Sequence, residues 1–271
     1  MFSDNNLILF LLCIIPVVFY SLFIFANSPS FSIRLKASFT YLYTGLLSVT
    51  LLQFIHFIFP HLHDVFLQIN VEKFTIQNEN FNFVQPTLGS IILFAFIQVA
   101  LFEELSKWVA FKCVSYMRGR RRKNLDHPYA IMFYSSLVAA AFSIVENIQY
   151  AQRAMSGEFG IVEPSDILTI RAVTSVIVHM ACGLFMGYYM GLSKGCNKPK
   201  VILYNTIGII LATFTHGIYD FNLMRTNTAS DFFHCFGTEI HIPSLVIISF
   251  SLLSCYLMSC YLKTKETTNL Q

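Results

Sequence analysis

The stretch LGSIILFAFIQVALFEELSKWVAFKCVSY (88–116) is long and apolar enough to cross a bilayer, yet it carries Glu103, Glu104 and Lys107 near its middle. Crossing about 30 Å of hydrocarbon takes about 20 helical residues at about 1.5 Å each. An ionised group near the bilayer centre costs about 2.5–3.5 kcal/mol on insertion scales. A membrane helix keeps such residues only where they face a protein interior. This one run therefore predicts a membrane-spanning helix and neighbours that shelter its charges.

The whole chain reads the same way. Of its 271 residues, 55% are apolar and only 12% charged, with 28 Phe and 13 Tyr. A soluble domain carries about a quarter charged residues, so hydrocarbon is the expected solvent for much of the surface. Seven runs are long enough to span, at about 7–26, 37–59, 88–116, 129–152, 167–192, 201–224 and 243–262. The expected fold is an all-α polytopic membrane bundle, one integral membrane domain over 1–271 with its chemistry between 88 and 225. The first run has Asp4 and no basic residue on its flank, and it is too long for a signal-peptide core, so it reads as retained.

Basic residues give the orientation. Arg34 and Lys36, the run Arg118 to Lys123, then Lys194, Lys198 and Lys200, and finally Lys263 and Lys265 all fall on one side. The opposite segments are mostly acidic. The N-terminus is expected outside and the C-terminus in the cytoplasm, as an odd number of spans requires. The longest outer loop, Pro60 to Pro86, has apolar residues but poor helical periodicity. The seven cysteines form no CxxC and read as small hydrophobes. Gly183, Gly187 and Gly191 recur every four residues, which predicts close packing against a neighbouring helix. The net charge of +3 gives no case for nucleic acid.

Ionisable residues inside the runs form a short set: Glu103, Glu104 and Lys107, then Glu146, then His179 with Arg171 nearer the outer end, then His216 and Asp220. Facing lipid, the three glutamates and the lysine would cost roughly 10 kcal/mol, so they must converge. Glu103 and Glu104 lie four and three residues before Lys107, so the lysine can neutralise either. His216 and Asp220 share a helical face, so Asp220 can hold one imidazole nitrogen while the other faces the site. Glu146 sits between Phe142 and Tyr150 on one stripe, beside Asn147.

Hydrolysis fits this set. Two histidines and a carboxylate make a zinc shell with one position left for water, here His179, His216 and Glu146, with Glu103 or Glu104 as the base. A metal-free site, with a glutamate activating water and histidines stabilising the oxyanion, fits the same residues. Two readings compete with hydrolysis: polar side chains that only tie the bundle together, and a proton or ion pathway through a transporter or channel. His56, His61, His63, His127, His234 and His241 lack an acid partner at helical spacing or lie in loops, and read as surface or interface residues.

Four ordered motifs resemble one family. Glu-Glu-x-x-Lys at 103–107, Phe-Ser-Ile-Val-Glu-Asn-Ile-Gln-Tyr at 142–150, His179 with following glycines, and His-Gly-Ile-Tyr-Asp at 216–220 look like the PrsW family of intramembrane proteases. Its wider clan includes the CAAX prenyl proteases and bacterial Abi proteins, with Glu-Glu-x-x-x-Arg, Phe-x-x-x-His and His-x-x-x-Asn/Asp motifs. Lys107 stands one residue earlier than the clan arginine, and Glu146 stands where the clan has histidine; both departures favour PrsW. The resemblance implies proteolysis of a membrane protein substrate, such as a single-pass anti-sigma factor, in a bacterial inner membrane. It implies catalytic roles for Glu103 and Glu104, with Glu146, His179 and His216 as catalytic or zinc-binding partners. Lys107 joins the acid pair in the expected catalytic set, and Asp220, Asn147, Tyr150 and Arg171 are expected to support the site.

Overall fold

The computed structural model describes residues 4–26, 35–58, 88–119, 127–157, 163–225, 232–235 and 238–269. Among them, seven long helical segments match the seven apolar runs. Helix α1 is Asp4–Ala26 and α2 is Leu35–Ile58. Helix α3 has three contiguous parts: α-helical Leu88–Leu93, π-helical Phe94–Leu101, and α-helical Phe102–Gly119. Helix α4 is Pro128–Met155. Helix α5 has two parts, Pro164–Val173 and Ser175–Leu192. Helix α6 is Lys198–Arg225 and α7 is Ile242–Asn269. An antiparallel hairpin of β1 (Phe232–Cys235) and β2 (Thr238–His241), in register Phe232↔His241, precedes α7 and is an addition to the all-α expectation. The Pro60 to Pro86 loop and residues 120–123 of the basic run lie outside the described residues.

Among the described residues, four helical stretches are long and apolar enough to cross a membrane by length and composition: Ala37–Ile58, Pro128–Met155, Pro164–Leu192 and Lys198–Met224. Leu7–Leu22 and Val246–Tyr261 are shorter apolar stretches. Large apolar side chains on the periphery, including Phe19, Phe39, Phe57, Ile202, Phe214 and Phe250, stand exposed. Apolar exposure on that scale suits hydrocarbon rather than water.

Helix α4 is the hub. It is buried without a break from Tyr129 to Ser143, against α1, α2 and α5. A helix that is apolar all round belongs in the centre of a bundle. Its start is fixed by Pro128 in the first turn and by His127, whose Nδ1 accepts from the Tyr129 N–H at 3.2 Å. That is the structural role for His127. Tyr41 of α2 stacks on Phe111 of α3 and on Tyr134 of α4, with ring centroids 5.2 and 4.6 Å apart. Trp108 Nε1 donates to Asn205 Oδ1 at 3.2 Å and ties α3 to α6. The Cys182 thiol donates to the Ala212 carbonyl at 3.3 Å and ties α5 to α6. Cys13, Cys113, Cys182, Cys196, Cys255 and Cys260 are all free.

The glycine stripe of α5 does pack against α4. A Cβ on Gly183 would lie 2.8 Å from the Ser135 carbonyl oxygen, and one on Gly187 would lie 2.5 Å from the Met132 Cα. A Cβ on Gly191 would meet Pro128 at 2.9 Å. These obstacles are mostly backbone atoms, so they cannot swing aside. The close approach sets the α4–α5 distance, and with it the separation of the site residues that the two helices carry.

Helix α5 was expected to be continuous over 167–192, but it breaks at Thr174, which has φ −124° and ψ −79°. The Thr174 side chain at the break is buried and paired: its hydroxyl donates to the Ile170 carbonyl at 2.8 Å and accepts from the Tyr219 hydroxyl at 2.9 Å. Substituting Gly187→Val is expected to force α4 and α5 apart, with a loss of about 1–3 kcal/mol typical of overpacking. Thermal unfolding in mild detergent should show a lowered midpoint relative to the unsubstituted protein.

Candidate active site

Four helices deliver the ionisable residues to one place. Glu103 and Glu104 open the α-helical part of α3 directly after the π-helical stretch, and Lys107 lies one turn on. Helix α4 supplies Glu146, Asn147 and Tyr150; α5 supplies Arg171 and His179; α6 supplies His216 and Asp220. Among the described residues, one donor from each of Glu103, Glu104, His179 and His216 lies within 4.8 Å of the others. All four are buried. The imidazole rings of His179 and His216 meet edge to face, with centroids 4.8 Å apart.

Lys107 sits at the centre. Its Nζ donates to Glu104 Oε1 at 2.7 Å, lies 3.0 Å from His179 Nδ1 and pairs with Glu103 Oε2 at 3.5 Å. The Phe142 ring covers the ammonium at 4.1 Å from its centroid. Aromatic cover of a desolvated cation is worth on the order of 2 kcal/mol. Glu104 Oε1 also lies 2.9 Å from His216 Nδ1. The other oxygen, Glu104 Oε2, makes no hydrogen bond among the described residues. Glu103 Oε2 is held only by longer ion pairs, to Lys107 and to His216 Nε2 at 3.9 Å.

Each histidine turns its other nitrogen toward a carboxylate. His179 Nε2 lies 2.6 Å from Glu146 Oε2, and His216 Nε2 lies 3.3 Å from Asp220 Oδ2. This back-to-back arrangement fixes the tautomer and orientation of an imidazole whose inner nitrogen serves a metal or a proton. The sequence reading groups Glu146 with the two histidines as a metal ligand. In the structure it stands behind His179, outside the four-residue cluster, because Arg171 holds it there. Arg171 Nη2 pairs with Glu146 Oε2 at 2.8 Å, Arg171 Nε donates to Asn147 Oδ1 at 2.7 Å, and the guanidinium lies 3.9 Å above the Tyr150 ring. Thus Asn147, Tyr150 and Arg171 form one clamp on Glu146.

The donor set suits a divalent ion. Imidazole nitrogen and carboxylate oxygen are zinc ligands, and Glu104 Oε2 is a buried oxygen with no partner of its own. Charge points the same way. With every carboxylate ionised, Glu103, Glu104, Glu146 and Asp220 face only Lys107 and Arg171, which leaves two negative charges uncancelled in a low-dielectric interior. A divalent cation matches them, as would two protonated histidines.

Two positions escape the sequence reading. Gln98 is buried on the π-helical stretch one turn before Glu103. Tyr219, inside the His-Gly-Ile-Tyr-Asp motif, secures the α5 break through Thr174. Neither is charged at neutral pH, so a search for charged or metal-ligating side chains passes over both. For the clamp, Arg171→Met strands the Glu146 carboxylate and is expected to cost about 3–5 kcal/mol. The double variant Arg171→Met/Glu146→Gln should recover much of that loss, measured as unfolding midpoints in detergent.

Comparison with known proteins points to one family. A family model described as PrsW family intramembrane metalloprotease matches residues 39–252. Protease PrsW of Oceanobacillus iheyensis is 35% identical over 135 residues, covering 49% of this chain and 56% of that protein. Protease PrsW of Geobacillus kaustophilus is 31% identical over 130 residues, covering 48% and 52% respectively. Protease PrsW of Bacillus subtilis is 24% identical over 135 residues, covering 50% and 56%. The chain spans about half the length of the curated relatives it matches. No solved structure matches it. A family match over most of the chain, apolar membrane-length helices and a buried Glu/His cluster converge on one assignment: this chain belongs to the PrsW family of intramembrane proteases.

Proposed function

We propose that this protein is a membrane-embedded metallo-endopeptidase that hydrolyses a peptide bond of a membrane protein substrate, such as a single-pass anti-sigma factor, within or beside the bilayer. The observation that carries this reading is the buried meeting of Glu103, Glu104, His179 and His216 within 4.8 Å. Glu104, His179 and His216 would hold the ion, with zinc the best match to their donors and a fourth position left for water beside Glu103. When bound, a divalent ion polarises a carbonyl and makes a coordinated water more acidic.

The chain's own residues do the rest. Glu103 is the less constrained of the two acids and acts as the general base. It takes a proton from water as the water oxygen bonds to the scissile carbonyl carbon. It then gives that proton to the leaving nitrogen as the C–N bond breaks. Glu104 is held in place by Lys107 and His216. Lys107 limits the repulsion between two adjacent carboxylates. Glu146 and Asp220 orient His179 and His216 from behind, and the Arg171 clamp keeps Glu146 from swinging into the centre.

Loop charge supports an outside N-terminus and a cytoplasmic C-terminus, in a bacterial inner membrane. Family membership disfavours the transporter alternative, which predicts ion flux in liposomes without proteolysis. Glu103→Gln should insert normally and lower the cleavage rate about 10²–10⁴-fold. Glu104→Gln and His216→Ala should insert and lose cleavage. The check is cleavage of a single-span substrate in reconstituted vesicles, with gel filtration of each variant as the folding control. Cleavage at the unsubstituted rate by any of the three would refute its assigned role.

A further inference from the structure

Cutting a peptide bond inside a membrane poses a problem that the Glu/His cluster does not solve. A substrate helix keeps its backbone N–H and C=O groups paired, and the scissile bond is reachable only after that helix locally unwinds. In hydrocarbon each unpaired backbone group costs several kcal/mol. The enzyme must therefore offer replacement partners beside the cluster, and in the free enzyme such partners stand unused.

Gln98 has these properties. It is 4% exposed, and among the described residues its Oε1 makes no hydrogen bond. A buried amide oxygen left unpaired costs about 1–3 kcal/mol, and an apolar side chain at this point would avoid that cost. Gln98 also lies on the π-helical stretch Phe94–Leu101, a geometry common at functional sites. Gln98 lies five residues before Glu103 on the same helix, about one turn along α3. Along α3 it falls between two contacts with α6. On one side, the Phe96 ring fills the space where a Gly217 Cβ would be; on the other, Glu103 and Glu104 meet His216. Its small neighbours Ala95 and Ala100 are fully buried.

We propose that the Gln98 carboxamide pairs with a backbone N–H of the unwound substrate segment and so holds the chain beside Glu103 and Glu104. The inference rests on the proteolytic reading above. Its ligand class is an extended peptide backbone in a water-poor site, independent of the substrate's side chains.

The test uses Gln98→Met, which keeps length and volume, with Gln98→Leu as a second variant should Met fail to insert. The probe is a labelled single-span peptide with a Gly-Pro pair at mid-bilayer, co-reconstituted in vesicles. Cleavage is measured in the otherwise unsubstituted enzyme, and affinity in the Glu103→Gln background, where chemistry is blocked. The expected result is an unfolding midpoint unchanged or raised, with affinity and kcat/KM each reduced about tenfold or more. Unchanged affinity and kcat/KM would overturn the proposal. So would a lowered unfolding midpoint with a loss confined to kcat, which marks a structural role. Weakened affinity in a protein that cleaves nothing would keep Gln98 as a peptide-binding residue and refute the proteolytic reading alone.

Discussion

Everything in this bundle answers to one contact: the Lys107 ammonium lodged between Glu104 and His179, at 2.7 and 3.0 Å, inside a membrane-spanning segment. A lysine and two adjacent glutamates cannot face lipid, so α3 must turn them toward other helices. Those helices must in turn present groups that satisfy them. His216 does so from α6 and His179 from α5, and each brings a carboxylate behind it. The site is therefore also what selects the helix arrangement, since any other rotation of α3 leaves charge in hydrocarbon.

Close backbone packing makes the convergence feasible. The glycines of α5 let it press on α4 with no side chain between, so His179 and Glu146 meet at 2.6 Å. Gly217, next to His216, makes the same kind of room for Phe96 of the π-helical stretch. Two irregularities then aim the residues. The π-helical turn in α3 shifts the phase of everything after it, which brings Glu103 and Glu104 round to face the histidines. The break at Thr174 lets the outer part of α5 point Arg171 at Glu146 while the inner part carries His179. The π stretch lies against α6, and at the break the backbone stays paired, with the Thr174 N–H donating to the Arg171 carbonyl at 3.4 Å and the Thr174 carbonyl accepting from the Val178 N–H at 3.1 Å.

Much of this is legible in the chain because membrane chemistry is severe. Glu103, Glu104, His179 and His216 stand out as costly residues in apolar runs, and the spacing of His216 and Asp220 foretells their pairing. The four-residue glycine repeat foretells the α4–α5 contact. What is not legible depends on tertiary packing. No Gly or Pro announces the bend at Thr174, and no residue type announces a π-helical turn. By residue count alone, Glu103 and Glu104 sit deep in α3 relative to Glu146 and His216 in theirs. Glu146 reads as a ligand because it is an acid near two histidines; only the position of Arg171, two dozen residues on, shows why it stands behind His179. Gln98 is silent in the sequence because an uncharged amide is common in any helix, and only its burial without a partner sets it apart.

The central claim is that the buried Glu/His cluster holds a divalent ion that hydrolysis requires. It is tested most directly by the metal content of purified, folded protein beside that of the His179→Ala/His216→Ala double variant. The account predicts about one divalent ion per chain in the first and a near-complete loss in the second. A preparation that cleaves its substrate while holding no stoichiometric metal would contradict it.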